Sequence, residues 1–136
     1  MRVTHVVNSD LRGGAARAAF NLHIALRKKN IDSRLLVQRK FLDEKNIYGF
    51  NNSFVSKNLT NFRMMRDLLK TKIYTNENLG RFSFGDVGLD ISNHSYIQDC
   101  DIIHLHWINE GFLSLRSLEI LFQLRKKIVW TFHDMW

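Results

Sequence analysis

The residues able to do chemistry fall in three short blocks. The first is Arg12-Gly13-Gly14-Ala15-Ala16-Arg17. Two glycines let a backbone approach a ligand closely, and the free N–H groups opening a following helix favour a phosphate or another anion. The block lacks the full dinucleotide fingerprint and the lysine of a P-loop, so the competing reading is a tight turn whose glycines serve backbone geometry alone. The second block is His104-Leu105-His106-Trp107-Ile108-Asn109-Glu110-Gly111. Histidines two apart on a strand share a face, a spacing that zinc sites also use. A metal needs further ligands, and the remaining candidates (His5, His94, His133, Asp134) are scattered along the sequence; a hydrogen-bonded histidine at a strand end is the commoner case. Trp107 is more often core than platform, yet an indole beside polar groups suits the C–H face of a sugar ring. The third block is Thr131-Phe132-His133-Asp134. His133 there has the chemistry to bond a ligand hydroxyl or to act near a reacting centre; against this stands a histidine that merely holds a loop. Contact between His133 and Asp134 is not implied by adjacency, since neighbouring side chains usually diverge.

The elements around these blocks decide whether they meet. Arg2 to Val7 is β-branched and reads as a buried parallel strand. After a turn through Gly14, Ala15 to Lys29 has helical spacing, with Ala15, Ala19, Leu22 and Leu26 as its apolar stripe, cations in its last turn and Asn30 as C-cap. Ser33 to Gln38 is a second strand, giving a βαβ unit whose crossover should be right-handed. Asp101 to His106 reads as a third strand, Leu113 to Arg125 as a leucine-rich helix and Lys127 to Phe132 as a fourth strand. Between them, Leu59 to Tyr74 has helical spacing (Leu59, Phe62, Met65, Leu69, Ile73), while its flanks, rich in Asn, Ser and Gly, show no period. The expectation is an α/β domain with a partial Rossmann-like parallel sheet. All three blocks then open on one sheet edge, where open α/β proteins bind ligands.

Composition agrees with a globular domain and bounds its partners. The chain has 136 residues, 45% of them hydrophobic and 24% charged, enough for one domain and too few for two. Its one cysteine, Cys100, allows no internal disulfide, and Met1-Arg2 runs straight into a strand rather than a signal peptide. A cytoplasmic location is expected. The net charge of +7 favours acidic partners: nucleotide phosphates, anionic lipid headgroups or nucleic acid. The cations are scattered and mostly close expected helices, which fits a solvated surface and the helix dipole. Triplets such as Asn58-Leu59-Thr60 matter as glycosylation sites only in a secreted chain.

Taken in order, Gly-Gly-Ala-Ala-Arg-Ala-Ala at 13–19, Leu-His-Trp-Ile-Asn at 105–109, Gly-Phe-Leu-Ser-Leu at 111–115 and Val-Trp-Thr-Phe-His-Asp-Met-Trp at 129–136 resemble the amino-terminal domain of family 4 glycosyltransferases. The resemblance is nearest to the bacterial branch that builds exopolysaccharide or lipopolysaccharide. It covers both ends of the chain well and residues 40–90 poorly. It implies the GT-B architecture, two Rossmann-like domains facing across a cleft, with retaining transfer from a UDP- or GDP-linked sugar, no cofactor and no catalytic metal. Carried onto this chain, Gly13, Gly14 and Arg17 lie at the donor diphosphate, and His133 and Asp134 at the reacting centre. Asp10, His106, Trp107 and Asn109 line the substrate side. The partners implied are a nucleotide-sugar and a saccharide or lipid-linked acceptor, with peripheral contact to an anionic membrane and no nucleic acid. The second, nucleotide-gripping domain of such enzymes has no counterpart in these residues. The expectation is therefore a truncated first domain that is inactive alone and self-associates through an exposed sheet edge; the alternative is a stand-alone sugar- or nucleotide-binding module, and a third reading is a small metal-dependent hydrolase built on His104 and His106.

Overall fold

The computed structural model describes residues 1–74 and 83–133. Its centre is a five-stranded parallel sheet: β1 (Arg2–Ser9), β2 (Asp32–Arg39), β3 (Ile47–Gly49), β4 (Ile102–Leu105) and β5 (Lys127–Trp130), in the order β3-β2-β1-β4-β5. Four helices accompany it among the described residues: α1 (Gly14–Lys28), α2 (Phe54–Tyr74), α3 (Ser95–Gln98) and α4 (Leu115–Gln123). The expected partial Rossmann-like α/β fold is the observed one. Two elements went unforeseen: β3, whose three residues are too few to show a period, and the single turn α3.

Strand alternation divides the core in two. Val6, Leu36, Ile103 and Leu105 face one way and pack with Phe112, Leu118 and Leu121 under α4. Val7, Leu35 and Val37 face the other way and pack with Ala19 of α1. The two helices therefore cover opposite faces. That follows from strand order: β1 connects outward to β2 and β4 connects outward to β5, so crossovers of one hand must lie on opposite sides. Full burial of residues such as Leu35, Leu105 and Phe112 contributes about 1.5–3 kcal/mol each.

Two helices sit differently from their apolar patterns. Of the expected stripe, α1 buries Ala15 and Ala19, together with Ala16 and His23, while Leu22 is exposed and Leu26 half-buried. Small alanines let it lie close on β1 and β2, and His23 Nδ1 finds the Ser33 hydroxyl at 2.9 Å. It ends at Lys28 with Lys29, not the expected Asn30, as its C-cap; Asn30 follows at φ 59°, the left-handed position that stops a helix. α2 begins at Phe54, five residues before the expected start at Leu59, and its apolar stripe is turned away from the domain. Gly111, at φ 70°, holds α2 against the loop after β4, since a Cβ there would lie 3.0–3.1 Å from Arg63 atoms. No described helix is long and apolar enough to cross a membrane.

Candidate functional site

Connections leave β1 and β4 in opposite directions, so their C-terminal ends part and leave a crevice at the topological switch point. The three chemistry-bearing blocks meet around that edge. On one side, β1 ends at Ser9 and the chain turns into α1, whose N-cap is Gly13 at φ 99°, ψ 166°, a conformation open in practice only to glycine. No side chain caps α1, and a Cβ added at Gly13 or Gly14 would meet nothing within 4 Å. The opening amides of a fifteen-residue helix thus have no side-chain acceptor, with the helix dipole behind them. Arg17 is exposed one turn along, and the Arg12 guanidinium stacks on Phe41 with its carbon 4.5 Å from the ring centre.

Asp10 lies in the same turn but is fully buried. Its carboxylate accepts from the Phe41 amide at 3.0 Å and the Leu42 amide at 2.9 Å, which pins the β2–β3 loop beside the crevice. A second polar tie joins three strand ends. Arg39 Nη2 donates to Asn8 Oδ1 at 3.1 Å and to Glu110 at 3.3 Å, while Asn8 Nδ2 donates to the Asn109 carbonyl at 2.9 Å. Asn109 itself is buried and held through its backbone, and the left-handed pair Glu110 and Gly111 turns the chain sharply behind it.

The histidines form a chain across the sheet. Register places His5 of β1 beside His104 of β4, with His106 two residues on and His133 beyond the end of β5. His5 Nδ1 lies 3.2 Å from His106 Nε2, and His106 Nδ1 lies 3.1 Å from His133 Nε2. His104 stacks on His106 with ring centres 4.1 Å apart and bonds Thr131 Oγ1 at 2.8 Å. Burial, and then the positive charge each ring would present to the others, holds His5 and His106 down to pKa values of about 3. At neutral pH both are neutral, so each ring has one N–H and one lone pair. The two contacts then have only two consistent arrangements. Either N–H groups point inward, His133 Nε2 donating to His106 and His106 to His5, or they point outward, His5 donating to His106 and His106 to His133 Nε2. Whichever holds, the buried pair sets whether His133 Nε2 donates or accepts.

His106, Trp107, Ile108 and Asn109 line a shallow depression with Trp130, Phe132 and His133. Trp130 Nε1 donates to the His106 carbonyl at 3.2 Å and fixes one wall, and its ring stacks on Phe132 with centres 4.7 Å apart. Trp107 Nε1 is buried without a hydrogen-bond partner among the described residues. Of the residues singled out in the sequence, Gly13, Gly14, Arg17, His106, Trp107, Asn109 and His133 come to this edge; Asp10 anchors its rim. Asp134 lies outside the described residues. Asn8 and Arg39 were not singled out in the sequence, His5 was named only as a scattered candidate ligand and Glu110 only as part of a block; their roles follow from strand pairing rather than from any local pattern.

No protein-family model, curated protein or solved structure matches this chain. The uncapped α1 amides suit an anion, the histidine chain suits hydroxyls, and the indole-walled depression suits a ring with an apolar face. One set has a different capacity: nitrogens of His5, His104 and His106 all lie within 4.8 Å of one another, close enough to bind one divalent metal. Doing so would cost the His5–His106 hydrogen bond, and His5 is inaccessible beneath the sheet face.

Proposed function

We propose that this chain is the acceptor-side, Rossmann-like half of a retaining glycosyltransferase of family 4 type, acting in the cytoplasm on a saccharide or lipid-linked acceptor. The observation that carries the reading is the convergence of an uncapped helix N-terminus and a histidine chain at one switch point. A nucleotide-sugar offers both matching groups: a diphosphate for the α1 amides and sugar hydroxyls for His133. In this reading Gly13 and Gly14 admit the diphosphate and Arg17 adds charge. His133, held by His106, bonds the donor sugar. Trp107 and Asn109 face the acceptor.

The test is amide-resolved NMR of the isolated chain titrated with UDP, GDP and their sugar conjugates. Shifts should concentrate at Gly13 to Arg17 and at His106 to Asn109, with His133 responding only to the sugar conjugates. The isolated chain should bind without transferring sugar, because the nucleotide-gripping half has no counterpart in these residues. Shifts confined to other surfaces, or metal-independent transferase turnover by this chain alone, would overturn the reading. The hydrolase reading has the three-histidine set in its favour, and it alone requires that a chelator abolish activity and added zinc restore it.

A further inference from the structure

The helix α2 is built inside out. Along its buried side run Thr60, Arg63, Asp67 and Thr71, spaced three and four apart. They are polar, and they bond locally: Arg63 Nη2 donates to Thr60 Oγ1 at 3.1 Å, and Thr71 Oγ1 donates to the Asp67 carbonyl at 3.0 Å. On the opposite side Phe54, Val55, Phe62, Met65, Leu69 and Ile73 are between 51% and 80% exposed. At one hundred degrees per residue these six fall within roughly a third of the helix circumference. A single exposed leucine needs no explanation, but six large exposed apolar side chains on one face of a 21-residue helix, interrupted there by Asn58, do.

Charge decides what could cover it. The only acid in α2 is Asp67, on the buried side. Lys57, Arg66 and Lys72 are exposed beside the apolar face, while Lys70 is engaged by Asp86 at 2.5 Å. A protein partner's buried contact surface is usually depleted of lysine. Apolar side chains flanked by cations are instead what an interfacial helix presents to an anionic bilayer, with rings and aliphatic groups in the headgroup boundary and cations among the phosphates. The chain's net charge of +7 attracts it to such a surface in the same sense.

We propose that the outward face of α2 is a membrane-docking surface that lies flat on anionic lipid. This surface is distinct from the switch-point crevice, and the inference does not depend on the sugar-transfer reading. Docking would place the loop after β4, which α2 touches through Gly111 and Arg63, close to the lipid surface.

The experiment is co-sedimentation of the whole chain with vesicles of phosphatidylcholine alone and of phosphatidylcholine containing about a third phosphatidylglycerol. The wild type should bind the anionic vesicles at least about tenfold better, and added salt should weaken that binding. Phe62→Ser with Leu69→Ser should abolish binding while leaving the melting temperature unchanged, since both side chains are exposed. Lys57→Gln and Lys72→Gln should each weaken binding by about fivefold. In a Phe62→Trp variant, whose substituted ring is still apolar, the new emission should shift to the blue on anionic vesicles and be quenched by brominated lipid. The proposal is overturned by absent binding to anionic vesicles, by undiminished binding of the Phe62→Ser, Leu69→Ser variant, or by a Phe62→Trp emission that stays water-like. It is equally overturned if sedimentation velocity shows a dimer that the same double substitution dissolves, for then a second copy covers the face.

Discussion

His5, His106 and His23 are all buried and neutral in the native chain, with pKa values held down to about 3, 3 and 4. In the unfolded chain they titrate near the ordinary value of about 6.5. The sign follows from linkage: a depressed histidine pKa means that the unfolded state binds more protons between the two values, so stability falls as pH drops below about 6.5 and keeps falling towards about 3. Three such groups together should remove several kcal/mol by about pH 4.5, of the same order as the whole stability of a domain this size. Denaturant melts from pH 7.5 to 4.5 should show it, and a His23→Gln variant, which has no proton to take up there, should flatten the slope. A pH-independent midpoint over that range would mean that the rings are not held neutral by burial. The sequence showed His104 and His106 as a same-face pair, and the structure keeps that relation. It did not show His5 as their neighbour, because that depends on the β1–β4 register, a pairing across about a hundred residues that no local period encodes.

At the scale of elements, periodicity reveals that a helix exists and not always which way it faces. The spacing of Leu59, Phe62, Met65, Leu69 and Ile73 did give a helix, but those residues point outward, while Thr60, Arg63, Asp67 and Thr71 face the domain. Binary pattern reads an apolar stripe as core; a helix with a second use for its apolar face defeats that inference. In α1 the error was smaller: alanines at 15, 16 and 19 outrank Leu22 and Leu26 because only small side chains allow close approach to the sheet. The turn after β1 was legible as a turn, whereas the role of Asp10 within it was not, since its partners Phe41 and Leu42 lie beyond β2. Asp10→Ala should therefore act as a loop mutation. It leaves the amides of Phe41 and Leu42 without their acceptor, and a loss of about 1–3 kcal/mol is expected in urea denaturation. Hydrogen exchange at those two amides should rise more than the global change accounts for; if both stay protected, the carboxylate is not what holds the loop.

At the scale of the molecule, the parallel sheet and its order are what turn three separate blocks into one edge, and this was the most legible feature: β-branched strands, a helix between the first two, and a second strand pair far along the chain. The two glycines at that edge permit a prediction in which fold and function part company. Gly13 sits at φ 99°, so Gly13→Ala strains the backbone and should lower stability by about 1–3 kcal/mol whatever the site binds. Gly14 opens α1 with ordinary helical geometry and has nothing within 4 Å of an added Cβ. Alanine there should leave stability unchanged or raise it by about 0.5–1 kcal/mol, since a helix prefers alanine to glycine. The open space is empty of protein, yet a diphosphate seated on the α1 amides would fill it and meet the new methyl group. Gly14→Ala should therefore melt no lower than the wild type while binding UDP or GDP at least about tenfold more weakly, a difference of about 1.4 kcal/mol. Equal affinity in the two proteins would show that the glycines serve the turn alone and that the anion, if one binds, sits elsewhere along the edge.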